Sequence, residues 1–148
     1  MTLTIKTYNK INNSIYHNSK HKIHIQNDIT YLVLGFCFDR KIKISNNITY
    51  LKFEVIFNKK IIVKFNVMHL IFGGYFNHKI KLSSNIIYLH FDALFNQKIK
   101  FPNNITYLNF GTNFNQKIKI SQLTKKIYFG QKALLFRKEN HVFLTLFQ

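Results

Sequence analysis

The sequence predicts an all-β protein, a parallel β-solenoid of about five 19-residue coils with capping ends. Three observations carry that expectation. The chain repeats itself without gaps at 26–44, 45–63, 64–82, 83–101 and 102–120. When the copies are aligned, six columns are apolar in every copy. Inside a copy the columns at positions seven and nine, and those at seventeen and nineteen, alternate with polar or variable residues, which is the period of a strand and not of a helix. A repeat of this length makes one coil, and a coil buries its apolar face only against its neighbours.

The six columns define the inside. Position four of the repeat is Ile29, Ile48, Val67, Ile86 and Ile105; position seven is Leu32, Leu51, Leu70, Leu89 and Leu108. Position nine is Leu34, Phe53, Phe72, Phe91 and Phe110; position thirteen is Phe38, Phe57, Phe76, Phe95 and Phe114. Position seventeen is Ile42, Ile61, Ile80, Ile99 and Ile118, and position nineteen is Ile44, Val63, Leu82, Phe101 and Ile120. Each such side chain returns about 1.5–3 kcal/mol on burial. Positions seven and nine place a first strand near "TYLxF", and seventeen and nineteen a second near "KIKI". Ile, Tyr, Phe and Thr suit a pleated surface, so both strands are expected to stack as parallel ladders.

Asparagine marks the corners. Position fourteen is Asp39, Asn58, Asn77, Asn96 and Asn115, and position three is Asp28, Asn47, Asn66, Asn85 and Asn104. Short Asx side chains bond nearby backbone, and stacked ones can bond from coil to coil. Gly35, Gly73 and Gly111 at position ten suit a third bend. Glu54 and Asp92 hold the same position in other copies, so a positive φ is not required there.

The ends depart from the pattern. Residues 1–25 are expected to form an N-terminal cap, in which 7–25 is a worn copy keeping only "KIHI" in register. Residues 121–148 are expected to hold a degenerate repeat and a C-terminal cap. Ile127, Phe129 and Gly130 take positions seven, nine and ten, while Ala133 stands where phenylalanine is expected. The alternating tail "HVFLTLFQ" is expected to cover the open edge that a stack of strands leaves.

At "YLNFGTNFNQKIKI" and "FNQKIKFPNNITYL" the chain resembles the FNIP repeat family, a leucine-rich-repeat-like family of giant viruses and social amoebae. Leu108, Phe110, Gly111, Phe114, Asn115 and Ile118 match the family's "L-x-F-G-x-x-F-N-x-x-I" in order. Leu70, Phe72, Gly73, Phe76, Asn77 and Ile80 match it as well. The resemblance covers 26–120 and runs on to 130. The family's turn proline is present only as Pro102. The resemblance implies an interaction scaffold. Many family members carry an F-box before the repeats; residues 1–25 are polar and do not fit one, so the chain is expected to lack it.

Composition narrows the partner. The net charge is +17, with 22 basic residues against 5 acidic ones. That charge favours polyanions: nucleic acid, an anionic surface or an acidic protein. The bases are nearly all lysine, with Arg40 and Arg137 the two arginines, whereas bidentate phosphate and guanine recognition favours arginine. Cys37 is the single cysteine, which fits a reducing, intracellular compartment, cytoplasmic or host-cytoplasmic if the chain is viral. No stretch has the length of a membrane span.

No catalytic constellation is present, and neither a cofactor nor a metal is expected. "HNSKHKIH" gathers His17, His21 and His24, but only Asp28 could complete a zinc set, so solvated histidines are the expected reading. The outward rows carry the functional expectation. Tyr31, Tyr50, His69, Tyr88 and Tyr107 at position six share one face with position eight, which is Val33, Lys52, Ile71, His90 and Asn109. Tyrosine is favoured at interfaces, so the tyrosine row with Lys52, His90 and Asn109 is the expected site for a protein partner. Stacking for stability alone is the competing explanation of the tyrosines. The alternative function is polyanion binding through Lys41, Lys60, Lys79, Lys98 and Lys117 at position sixteen, and Lys43, Lys81, Lys100 and Lys119 at position eighteen. A monomer is expected; a purely structural unit that stacks through its ends is the third class considered.

Overall fold

The computed structural model describes residues 2–5, 10–11, 22–25, 28–36, 38–121, 123–130, 132–135 and 143–144. Its described elements are all strands: β1 (Thr2–Ile5), β2 (Lys10–Ile11), β3 (Lys22–Ile25), β4 (Tyr31–Leu34), β5 (Tyr50–Phe53) and β6 (His69–Phe72). They continue as β7 (Tyr88–Phe91), β8 (Tyr107–Phe110), β9 (Ile118–Lys119), β10 (Lys126–Phe129), β11 (Lys132–Leu135) and β12 (Phe143–Leu144). Strands β4 to β8 are the "TYLxF" segments of the five coils. They pair in parallel with position six on position six, Tyr31 to Tyr50 to His69 to Tyr88 to Tyr107. The sequence repeat is therefore the structural repeat, one coil per copy, and the solenoid is parallel.

Each coil turns where short loops close. A turn at positions one to four brings the Val67 N–H to the Lys64 carbonyl at 3.3 Å and the Thr124 N–H to the Ser121 carbonyl at 3.1 Å. A second at positions ten to thirteen brings the Phe38 N–H to the Gly35 carbonyl at 2.9 Å and the Phe76 N–H to the Gly73 carbonyl at 3.3 Å. The strand is extended at its N-terminal side by a shared acceptor. The Thr30 carbonyl takes both the Thr49 N–H (2.8 Å) and the Tyr50 N–H (3.1 Å), and the same fork recurs on Thr49, Met68, Ile87 and Thr106.

Columns four, seven, nine and thirteen are fully inside. The phenylalanines stack down the core. Rings at position nine stand 5.3 Å (Phe53–Phe72), 5.5 Å (Phe72–Phe91) and 6.0 Å (Phe91–Phe110) apart. Those at position thirteen stand 6.0–6.1 Å apart from Phe38 to Phe114. Within a coil the two columns touch, with Phe91 and Phe95 centroids 3.7 Å apart.

The "KIKI" side differs from expectation. A second parallel ladder was expected there, and none joins the middle coils. Ile42, Ile61, Ile80 and Ile99 are partly buried and packed on the core, as are Leu82 and Phe101. Lysines facing one another along the rows oppose closer approach. The run is a strand only toward the ends. β3 pairs in parallel with β1, and β9 pairs antiparallel with β12.

The sheet edges are closed by irregular strands. β2 lies against β4 with Lys10 opposite Val33, four residues away from the 19-residue register. At the other end the sixth coil begins in register: Thr124 stands in the isoleucine column and its hydroxyl donates to the Ile105 carbonyl at 2.9 Å. Ile127 is buried beneath Leu108. At Gly130, where φ is +57°, the chain turns back and β11 pairs antiparallel with β10. The open edge is thus covered by Lys132–Leu135, while the tail strand β12 lies on β9.

Candidate functional site

The outer face of the sheet is set by the inward leucine and phenylalanine of each strand. Because Leu51 and Phe53 point in, Tyr50 and Lys52 must point out, and the burial of β5 to β8 alternates accordingly. The position-six rings form one column. Tyr31 and Tyr50 stack at 4.1 Å, Tyr88 and Tyr107 at 4.3 Å. His69 joins the two pairs at 6.0 Å from Tyr50 and 5.8 Å from Tyr88. The column therefore consists of two tight tyrosine pairs bridged by an imidazole. Stacking covers much of each ring: Tyr31, at the end, is exposed, and the other four are partly buried. Burial, then the neighbouring Tyr31, pushes the Tyr50 hydroxyl up to about 12; burial, then Tyr107, does the same for Tyr88. Both stay neutral phenols, able to donate and accept.

Position eight divides. Lys52, Ile71, His90 and Asn109 lie partly exposed on the same face as the tyrosines. Val33, expected to point outward with them, is buried at 5% exposure, in the strand that β2 edges. Burial and the nearby Lys52 charge hold His90 below the usual imidazole range, against the opposing pull of Asp92.

The end of the strand adds charge to this face. Position ten alternates glycine with acid: Gly35, Glu54, Gly73, Asp92, Gly111. Lys52 and Glu54 pair at 3.7 Å. An open groove results on the third coil, floored by Ile71 and Gly73 and walled by Lys52 and Glu54 on one side and His90 and Asp92 on the other. Two of the chain's five acids therefore stand on the face that also holds the tyrosines.

The corner at position fourteen is an Asx ladder between coils. The Asn58 N–H donates to Asp39 Oδ1 at 2.8 Å, the Asn77 N–H to Asn58 Oδ1 at 3.1 Å, the Asn96 N–H to Asn77 Oδ1 at 3.0 Å and the Asn115 N–H to Asn96 Oδ1 at 3.2 Å. Position fifteen, unremarked in the sequence, reaches back along the same ladder. Gln97 Nε2 donates to Asn77 Oδ1 at 3.0 Å and Gln116 Nε2 to Asn96 Oδ1 at 2.9 Å. Lys59 pairs with Asp39. Burial raises the Asp39 carboxyl, but bonds from Lys59 and the Asn58 N–H, with the Lys59 and His78 charges, hold it below its ordinary value.

The lysines of positions sixteen and eighteen are exposed in every coil: Lys41, Lys43, Lys60, Lys79, Lys81, Lys98, Lys100, Lys117 and Lys119. Their shared face is interrupted at Ile62, which is 82% exposed. His17, His21 and Cys37 lie outside the described residues, and His24 is described only as part of β3. Among the described residues no group of three His, Cys, Asp or Glu could hold a metal ion, and no helix is long and apolar enough to cross a membrane.

Comparison with curated proteins and with solved structures gave no match. Residues 95–132, from position thirteen of the fourth coil into β11, match the model of the FNIP Repeat family.

Proposed function

We propose that this chain is a non-catalytic repeat scaffold that binds a protein partner through the outer face of its sheet. The observation that carries the reading is the groove on the third coil beside the tyrosine column. Tyr50 and Tyr88 stand at its margin, and Lys52, His90, Glu54 and Asp92 line its walls. Partly exposed aromatic rings with fixed neighbours lose little entropy on contact, and the paired charges of both signs supply orientation. Tyr31, His69, Tyr107 and Asn109 extend the same face. Truncation of Tyr50, Tyr88 and Tyr107 to alanine tests it, with partners captured from native lysate at low and high salt. Loss of a salt-resistant partner supports the reading, and an unchanged set of partners removes it.

A second reading is favoured by the uniform exposure of the lysines at positions sixteen and eighteen. Two parallel columns of point charges suit a polyanion. Reversing Lys79, Lys98 and Lys117 to glutamate tests that face separately. Binding to heparin or nucleic acid that weakens steeply with salt, and is lost in this variant, supports it.

A further inference from the structure

The repeat makes each column its own control. Column eighteen is Lys43, Ile62, Lys81, Lys100 and Lys119; column two is Asn27, Asn46, Phe65, Ser84 and Asn103. Each is a polar column with one large apolar exception. Both exceptions fall in one corner, three residues apart, and neither is inside: Ile62 is 82% exposed and Phe65 61%. Met68, three residues further on, is 40% exposed. The interior does not call for them, because Val63 and Val67 beside them already fill the inward places.

The surroundings are cationic. Ile62 lies between Lys43 and Lys81 in its own column, with Lys60 two residues back on the same face. Lys64 precedes Phe65. Among the described residues the acids stand at positions three, ten and fourteen, none on this run. Phe65 sits within the turn closed by the Val67 N–H and the Lys64 carbonyl at 3.3 Å, so it lies on a convex corner. The groove beside the tyrosines is lined by positions six to eleven and includes neither Ile62 nor Phe65; a second hollow, lined by Lys100, Asn103 and Lys119 among others, lies further along the same two columns.

We propose that this corner docks on an anionic lipid bilayer, with Ile62 and Phe65 entering the acyl boundary while the lysine rows lie on the headgroups. A protruding apolar pair on a cationic face meets the two requirements of peripheral membrane binding, insertion and electrostatic attraction. A fluid surface accepts protruding side chains without a matching pocket. The charge is not a single cluster but two columns repeated over the coils, which fits an extended array of headgroups better than one acidic partner. Lysine, a point charge, needs no bidentate geometry there. The inference uses the polyanion reading only for its electrostatic half.

Co-sedimentation with phosphatidylcholine vesicles carrying about 30% phosphatidylserine, against phosphatidylcholine alone, tests it. The variant Ile62→Lys/Phe65→Asn gives each column the residue its neighbours carry, so the coil keeps its design. It also adds a positive charge. Binding of the native chain to the anionic vesicles, with about a ten-fold weaker affinity in the variant, is expected. Equal or tighter binding by the variant overturns insertion, and so does failure of the native chain to bind. Because the chain has no tryptophan, Phe65→Trp supplies a single reporter. Its emission is expected to shift to the blue on vesicles and to be quenched by brominated acyl chains; an unshifted spectrum overturns the proposal. Retention on heparin without vesicle binding, or loss of a soluble acidic peptide in the variant without vesicle binding, also overturns it. The heparin outcome leaves the lysine reading standing.

Discussion

Gly73 lies directly on the backbone of Glu54: a methyl group on its Cα would stand 2.6 Å from both the carbonyl carbon and the carbonyl oxygen of Glu54. The glycine is needed for the close approach of one coil to the last. Its φ lies outside the left-handed region, which among the described glycines is occupied by Gly130. Gly73→Ala must push two coils apart beside the sheet, and a loss of about 1–3 kcal/mol is expected. At Gly74 the nearest atom to such a methyl is Val55 Cγ1 at 3.8 Å, so Gly74→Ala is expected to stay within about 0.5 kcal/mol of the native chain. Urea midpoints of the two variants, measured side by side, check the contrast.

The depth of the core predicts a second contrast. Phe76 is fully buried, with rings of Phe57 and Phe95 on either side and Phe72 at 3.8 Å. Phe76→Ala is expected to cost about 3–5 kcal/mol. Ile80, four residues on, is only partly buried, and Ile80→Ala is expected to cost about 1–2 kcal/mol, in proportion to the area it loses. Equal losses in thermal or urea unfolding would contradict the placement of the core nearer the sheet than the lysine side.

Asn77 accepts from both the Asn96 N–H and Gln97 Nε2. Asn77→Ala removes the acceptor of both bonds at an exposed corner where water can enter, and about 1 kcal/mol is expected to be lost. Asn77→Asp retains the acceptor, as Asp39 does in the first coil, and is expected to recover most of the loss. Amide exchange at Asn96 gives the local readout: faster in the alanine variant, near native in the aspartate one.

His90 predicts a pH dependence. An unfolded histidine titrates near about 6.5, while burial holds folded His90 below that. Between the two values the unfolded chain binds more protons, so this contribution to stability is complete above the unfolded value and is lost as pH falls through the folded one. His90→Asn, which copies Asn109 one coil on, is expected to flatten the fall in stability from about pH 7 to about pH 5. Asp39, whose carboxyl is depressed, acts in a lower window: its contribution is present above the ordinary carboxylate value near about 3.9 and is lost as pH falls further. Urea titrations across both windows separate the two groups.

The sequence by itself determined the period, the strand and the interior. A strict 19-residue spacing fixes which side chains meet, since parallel coils in register put like on like, and Leu51 on Leu70 or Phe53 on Phe72 followed from counting. Alternation around Leu89 and Phe91 also placed Tyr88 and His90 outside, because a strand sends successive side chains to opposite faces. Two features of the middle coils were decided by tertiary structure. The "KIKI" run alternates as a strand does, yet ladder formation depends on how closely the next backbone approaches, which facing lysines oppose and a pattern of letters does not contain. The reason for glycine at position ten was likewise a distance, from Gly73 to the carbonyl of Glu54. The ends were decided by edge closure: once repetition stops, unpaired backbone takes whatever strand reaches it, and so Gly130 turns the chain back where a sixth coil would have continued.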